Sequence, residues 1–207
     1  MKDFQTAFEQ IKYENLRQMM LMFPLALNLG KPDAVDDDHF VANTDMKNGE
    51  YTLAETEPDV PRNVRVEVTK ETANDTMGEL LVKGKDILGN EIQEVIEPNN
   101  GDTSSGVKEG DLAFAGIESI TGSGWEENSA ADKIKIGFGN KLGLPLKLAD
   151  TASILVNVVD NAVQTYTAAV DDPASVAGTT IDAQSGNGSY DGSNSVVVLV
   201  KPEDPSA

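Results

Sequence analysis

The stretch Asn63-Val-Arg-Val-Glu-Val-Thr69 decides the fold class, because valine occupies every second position. Successive side chains of a β-strand point to opposite faces, so Val64, Val66 and Val68 share one face and polar residues occupy the other. Comparable short segments, separated by glycine turns, continue from Val60 to Leu148. This pattern predicts a mainly β protein, built as an antiparallel β-sandwich or a small barrel.

Further strands are predicted on both sides of this stretch, each bounded by turn residues. The predicted segments are Phe40–Asn43, Glu50–Leu53, Gly78–Lys83, Glu91–Ile96, Leu112–Ile120, Lys133–Phe138, Ser153–Val159, Gln164–Val170 and Ser195–Val200. Their apolar positions predict a core, which contains Val64, Val66, Val68, Leu80, Val82, Ile134, Ile136, Val156, Val158, Val197 and Leu199. The intervening segment Asp182–Ser195 is rich in Gly, Ser and Asn, which predicts an exposed loop.

The N-terminal segment has helical periodicity instead, and Pro24 is expected to end the helix. The apolar face of the predicted helix contains Phe4, Phe8, Ile11, Met19 and Met22. Such a face either packs on its own domain or docks as an arm on another subunit. The flexible side chains of the methionines suit an adaptable contact surface.

Composition divides the chain into two parts. Residues 1–58 are interpreted as the N-terminal helix or arm followed by an extended linker, and residues 59–207 as the β domain. Within that domain, residues 59–148 form the core and residues 149–207 add further strands and the exposed loop. Lys201 is the single basic residue of the last sixty positions, so the surface changes character towards the C-terminus.

The chain is strongly acidic, with a formal net charge of −19. Such a surface repels phosphate backbones and anionic lipid headgroups, so we expect neither nucleic acid nor a membrane as a partner. The longest apolar run, Met19–Leu29, contains Pro24 and Asn28 and is shorter than the ~20 residues that a membrane helix needs. The absence of cysteine excludes disulfides and thiol chemistry.

Three patterns could carry chemistry, and each has a simpler interpretation. His39 follows three aspartates, but adjacent residues cannot all converge on one metal ion, which favours a solvated loop. The segment Asp182–Asp191 lacks the ligand spacing of an EF-hand, which favours a hairpin loop over a calcium site. Gly137-Phe-Gly139 indicates a bulge or tight turn. We therefore predict no catalytic residue, no cofactor and no metal site.

Four segments in order carry a family resemblance: Arg62–Thr69, Gly78–Glu94, Ala113–Thr121 and Ile134–Pro145. This order resembles the β-rich virion proteins of tailed bacteriophages, of the head decoration or auxiliary capsid type. The resemblance covers about 90 of the 207 residues.

The resemblance implies a non-enzymatic structural protein on the capsid exterior, made in the cytoplasm of the host bacterium. It implies binding to the major capsid protein, stabilisation of the shell, and a homo-oligomer, with a trimer favoured. The apolar face of Phe4, Phe8, Ile11, Met19 and Met22 is then the candidate capsid or subunit contact. The alternatives are a tail, neck or fibre component, or a host- or glycan-binding adhesin with residues 182–195 as its binding tip.

Overall fold

The computed structural model describes residues 24–70, 76–98, 106–126, 132–148, 150–170, 175–182 and 190–201. Over these residues the fold is mainly β, and every strand pairs in an antiparallel sheet, as predicted. Within the same residues, no helix has the length and apolar character needed to span a membrane. The predicted N-terminal helix lies outside the described residues.

The described residues contain fourteen strands and one 3-10 turn, Thr151–Ser153. The strands are β1 (Leu25–Gly30), β2 (Asp36–Asp45), β3 (Gly49–Glu50), β4 (Arg62–Thr69), β5 (Glu79–Lys85), β6 (Glu91–Ile96), β7 (Gly106–Phe114), β8 (Gly116–Ser123), β9 (Lys133–Gly143), β10 (Ile154–Val159), β11 (Ala162–Gln164), β12 (Thr167–Val170), β13 (Thr179–Asp182) and β14 (Val196–Val200).

Two of the three sheets pack face to face. The central sheet has the order β12-β13-β9-β4-β7, and β2 joins it beside β9; the hairpin sheet has the order β3-β8-β5-β6. Val64 and Val66 of the central sheet share one hydrophobic core with Leu80 and Val82 of the hairpin sheet. The alternating positions of the two sheets therefore supply the two sides of a sandwich core.

The third sheet, here called the terminal sheet, has the order β1-β14-β10-β11. It joins the two ends of the described chain, because β1 pairs with β14. Its inner face buries Val196, Val198 and Val200 in a second core. The C-terminal end of β9 contributes Leu142 to the same core, so this long strand links the two cores.

The predicted core is confirmed in the central and hairpin sheets and is wrong in the terminal sheet. Val64, Val66, Val68, Leu80, Val82, Ile134 and Ile136 are buried. In β10 and β14, however, Val156, Val158, Val197 and Leu199 are only half-buried. The alternate positions point inward instead, including Asn157 and Val198. Both faces of β14 are apolar, so alternation gives no information about which face is buried. In β10 the polar Asn157 lies on the buried face, which is the opposite of what alternation predicts.

Several predicted boundaries also differ. The single strand predicted over Leu112–Ile120 is two strands, because the chain leaves the central sheet at Phe114 and enters the hairpin sheet at Gly116. Residues 36–45, interpreted largely as loop, form β2 and bury Phe40 and Val41 in the first core. The tail of the apolar run Met19–Leu29 forms most of β1, a strand not predicted from the sequence.

Candidate functional site

An open cleft of about 900 Å³ lies beside the first residues of β2 and is strongly acidic. Its carboxylates come from segments far apart in the sequence: Asp33, Asp36, Glu55, Glu57, Asp59 and Asp191. His39 and Phe138 also line it. Such a cleft concentrates negative potential and attracts cationic groups.

A buried arginine, Arg62, holds the inner wall of this cleft together. Its guanidinium donates to Asp59 Oδ2 at 2.8 Å, to the Asp33 carbonyl at 2.5 Å and to the Gly139 carbonyl at 3.1 Å. The guanidinium carbon lies 4.5 Å from the centre of the Phe138 ring. Burial lowers the pKa of Arg62, and the charge of Asp59 opposes that shift.

His39 has a structural role in the same wall. Its Nε2 lies 2.9 Å from the Glu57 carbonyl, which accepts a hydrogen bond from it. The imidazole also packs edge-on against Phe40 and Phe138, with ring centres 5.1 and 4.9 Å apart. His39 therefore attaches the loop containing Glu57 to strand β2, and the prediction of a solvated loop at this position is wrong.

Three of the six carboxylates of the cleft, those of Asp36, Asp59 and Asp191, accept hydrogen bonds from the protein itself. Asp59 accepts from Arg62 and from the backbone N–H of Asp33, and Asp36 accepts from the N–H of Asp38. Among the described residues, no group of three or more His, Cys, Asp or Glu could hold a metal ion. The cleft is thus a network that joins loops to the sheets, and it presents no assembled cation site in the part of the chain described.

A second polar network crosses the central sheet next to the cleft. Arg65 donates to Asp37 at 2.5 Å and to Glu109 at 2.7 Å, and Asn63 donates to Glu109 at 2.9 Å. Burial opposes the protonated form of Arg65, but the hydrogen bonds to Asp37 and Glu109 prevail and raise its pKa. These contacts join β2, β4 and β7, so the network fixes the relative register of three strands.

The pair Gly137-Phe-Gly139 serves these networks through close backbone approaches. A Cβ atom at Gly137 would collide with the backbone of Asp36, where β2 passes β9. One at Gly139 would collide with the side chains of Asn63 and Glu109. Both residues lie inside β9, so the predicted tight turn is wrong. The register of β9 against β4 shifts between Phe138 and Leu142, so an irregularity of the bulge type follows directly beside this pair.

Other sequence-predicted positions are distributed as follows. The contact residues Phe4, Phe8, Ile11, Met19 and Met22 lie outside the described residues. Most of the predicted loop Asp182–Asp191 does as well, but Tyr190 is buried in the second core, with its ring 5.5 Å from the Arg62 guanidinium.

Sequence reasoning missed Arg62. The signal was present, because Arg62 lies on the same alternating face as Val64, Val66 and Val68.

The outer face of the terminal sheet is an apolar surface, and we regard it as the best candidate contact site. Two rows of paired residues cross it: Val163, Val158, Val197 and the polar Asn28, and then Val156, Leu199 and Ala26. None of these seven belongs to either hydrophobic core.

Exposure on this outer face is high at its margins. Val163 in β11 is 74% exposed, and Ala26 in β1 is also exposed. Leu25 and Leu155 are 46% and 47% exposed at the end of the sheet where β1 begins, but Leu25 pairs with the buried Val200 of the inner face and Leu155 lies in a register shift of β10. An apolar sheet face of this kind is typical of a protein contact surface, because water contact with grouped aliphatic side chains is unfavourable.

Comparison with family models, curated proteins and solved structures finds no match to this chain.

Proposed function

We propose that this chain is a non-enzymatic structural protein of a tailed-bacteriophage virion, and most specifically a head decoration protein that binds the outer capsid. The observation that carries the proposal is the uncharged outer face of the terminal sheet, in a chain of net charge −19. Grouped aliphatic side chains favour contact with another protein surface. The ordered strand-and-turn resemblance over residues 60–148 supplies the virion context.

The acidic surface fits an exterior protein that is present in many copies. A high net charge keeps such a protein soluble before it assembles. Symmetric oligomers then gain affinity for a repeating shell through many individually weak contacts. In this proposal the partner is the major capsid protein, the free protein is a homo-oligomer, most simply a trimer, and the N-terminal apolar face takes part in the contacts.

The direct test mixes the purified protein with shells that lack it. We expect saturable binding at a fixed number of copies per shell and a higher midpoint of thermal disruption. His39→Ala should bind equally well in this assay, because His39 packs inside its own chain. Shells that gain neither protein nor heat resistance would contradict the decoration role. Binding to tail structures or host cells instead would favour the tail-component or adhesin alternatives.

A further inference from the structure

We propose that the outer face of the terminal sheet is the docking site for the N-terminal segment Phe4–Phe23 of a second copy of this chain. The inference rests on the homo-oligomer of the proposed function and names the surface that builds it. It joins two apolar features: the outer face of the terminal sheet among the described residues and the apolar stripe predicted from the preceding sequence.

The chemistry of the two partners is matched. The sheet face contributes six aliphatic side chains, one uncharged polar side chain (Asn28) and no charged one, whereas the rest of the chain carries a large negative charge. Two copies therefore repel each other over most of their surface, and the repulsion is least where charge is absent. Phe4, Phe8 and Ile11 supply the complementary large apolar side chains.

The size of the face suits a single helix. Three gaps of about 4.8 Å separate its four strands, which gives a width of roughly 15 Å. A helix with its side chains is about 10–12 Å across and would cover most of that width. A stable contact between two flat protein surfaces buries roughly 800 Å² on each partner. The sheet face is about 15 Å wide and about 20 Å long, which is much smaller, so direct packing of two such faces would not hold two copies together.

The chain connection favours a second copy over the same copy. Strand β1 begins at Leu25, and a proline disfavours a helical conformation for the residue before it, so Phe23 and Pro24 are the two residues left to connect the predicted helix to the strand. Two residues are the short end of the usual range of about 2–6 for such connections, in which the chain must reverse direction. A hinge this short favours exchange of the segment between neighbouring copies, and reciprocal exchange closes as a symmetric oligomer.

Engineered cysteines can test this inference, because the chain has none of its own. A chain carrying both Ile11→Cys and Val163→Cys should form, on mild oxidation, disulfide-linked species of twice the monomer mass or more. The matched control combines Ile11→Cys with Val95→Cys, since Val95 is 54% exposed on the hairpin sheet. Crosslinking at monomer mass, or crosslinking no faster than in the control, would overturn the inference.

A second measurement uses charge on the sheet face. Val158→Asp combined with Leu199→Asp should shift the full-length protein to monomer in analytical ultracentrifugation, while Val95→Asp should leave the oligomer intact. Far-UV circular dichroism checks that each variant keeps its β structure. If the doubly charged variant is folded and still oligomeric, the inference is wrong. Shell binding is assayed separately, so oligomers that fail to bind shells would count against the proposed function alone.

Discussion

At the scale of single residues, Arg62 has the greatest influence on how the loops are attached to the sheets. We predict that Arg62→Met lowers the free energy of unfolding by about 3–5 kcal/mol, because Asp59 would keep a partly buried charge without its partner. Arg62→Lys should lose less, since it keeps the charge but not the planar fork of donors. Urea unfolding followed by circular dichroism measures both.

The matched control is Lys85→Met. Lys85 forms an ion pair with Glu118 at 2.9 Å, but both side chains are about half exposed and water screens the attraction. We expect no measurable change in the free energy of unfolding. Equal losses for the Arg62 and Lys85 variants would show that the buried ion pair of Arg62 stabilises the fold no more than an exposed one.

Glu94 provides a pH-dependent prediction at the same scale. Burial raises the pKa of Glu94 above its ordinary value of 4.5, although the N–H groups of Asp111 and Leu112 donate to its carboxylate. The folded state therefore favours the protonated form, and stability falls as the pH rises from 4.5 through the raised pKa. Glu94→Gln lacks this loss. As the pH rises over the same range, its free energy of unfolding should therefore increase relative to that of the wild type.

Urea unfolding at several pH values, from about pH 4 to about pH 8, measures the difference between Glu94→Gln and the wild type. Glu91→Gln is the control, because Glu91 lies on the same strand with its side chain exposed. Its stability should follow that of the wild type at each pH. If the difference in free energy of unfolding between Glu94→Gln and the wild type is the same at every pH, the raised pKa of Glu94 is contradicted.

At the scale of elements, strand β14 tests which face of the terminal sheet is buried. Val198 is fully buried, and its neighbour Val197 is half-buried on the outer face. We predict that Val198→Ala costs about 2 kcal/mol or more, from roughly 0.8 kcal/mol for each lost carbon group plus a cavity. Val197→Ala, the same chemical change one position away, should cost clearly less. The reverse order in urea unfolding would mean that the strand faces the other way.

At the scale of the whole molecule, net charge limits stability. Acidic residues outnumber basic ones 35 to 16, so long-range repulsion outweighs the attraction within ion pairs. Salt shortens the screening length to about 10 Å at 0.1 M, which weakens the repulsion between distant carboxylates first. We expect the thermal unfolding midpoint to rise with added sodium chloride. A midpoint that falls with salt would show that the ion pairs dominate instead.

The sequence alone determined the fold class and the inward face of the strands that have one apolar and one polar face. In β4 and β5 the alternation leaves a single arrangement, because reversing it would bury charged side chains such as Glu67 and Lys83. The alternation of β4 also predicts that Arg62 faces inward, because Arg62 lies two positions before Val64. These features are local, so they can be recognised from neighbouring residues.

Tertiary structure decided what depends on contacts between distant segments. The buried face of β14 is set by pairing with β1 and β10, since both of its faces are apolar and burial of either would satisfy the hydrophobic effect. The acidic strand β2 is held by β9 and by Arg65, although its own sequence favours a loop. The cleft around Arg62 exists because Asp33 and Asp59 meet only after the sheets have packed, and spacing along the chain does not encode such a meeting.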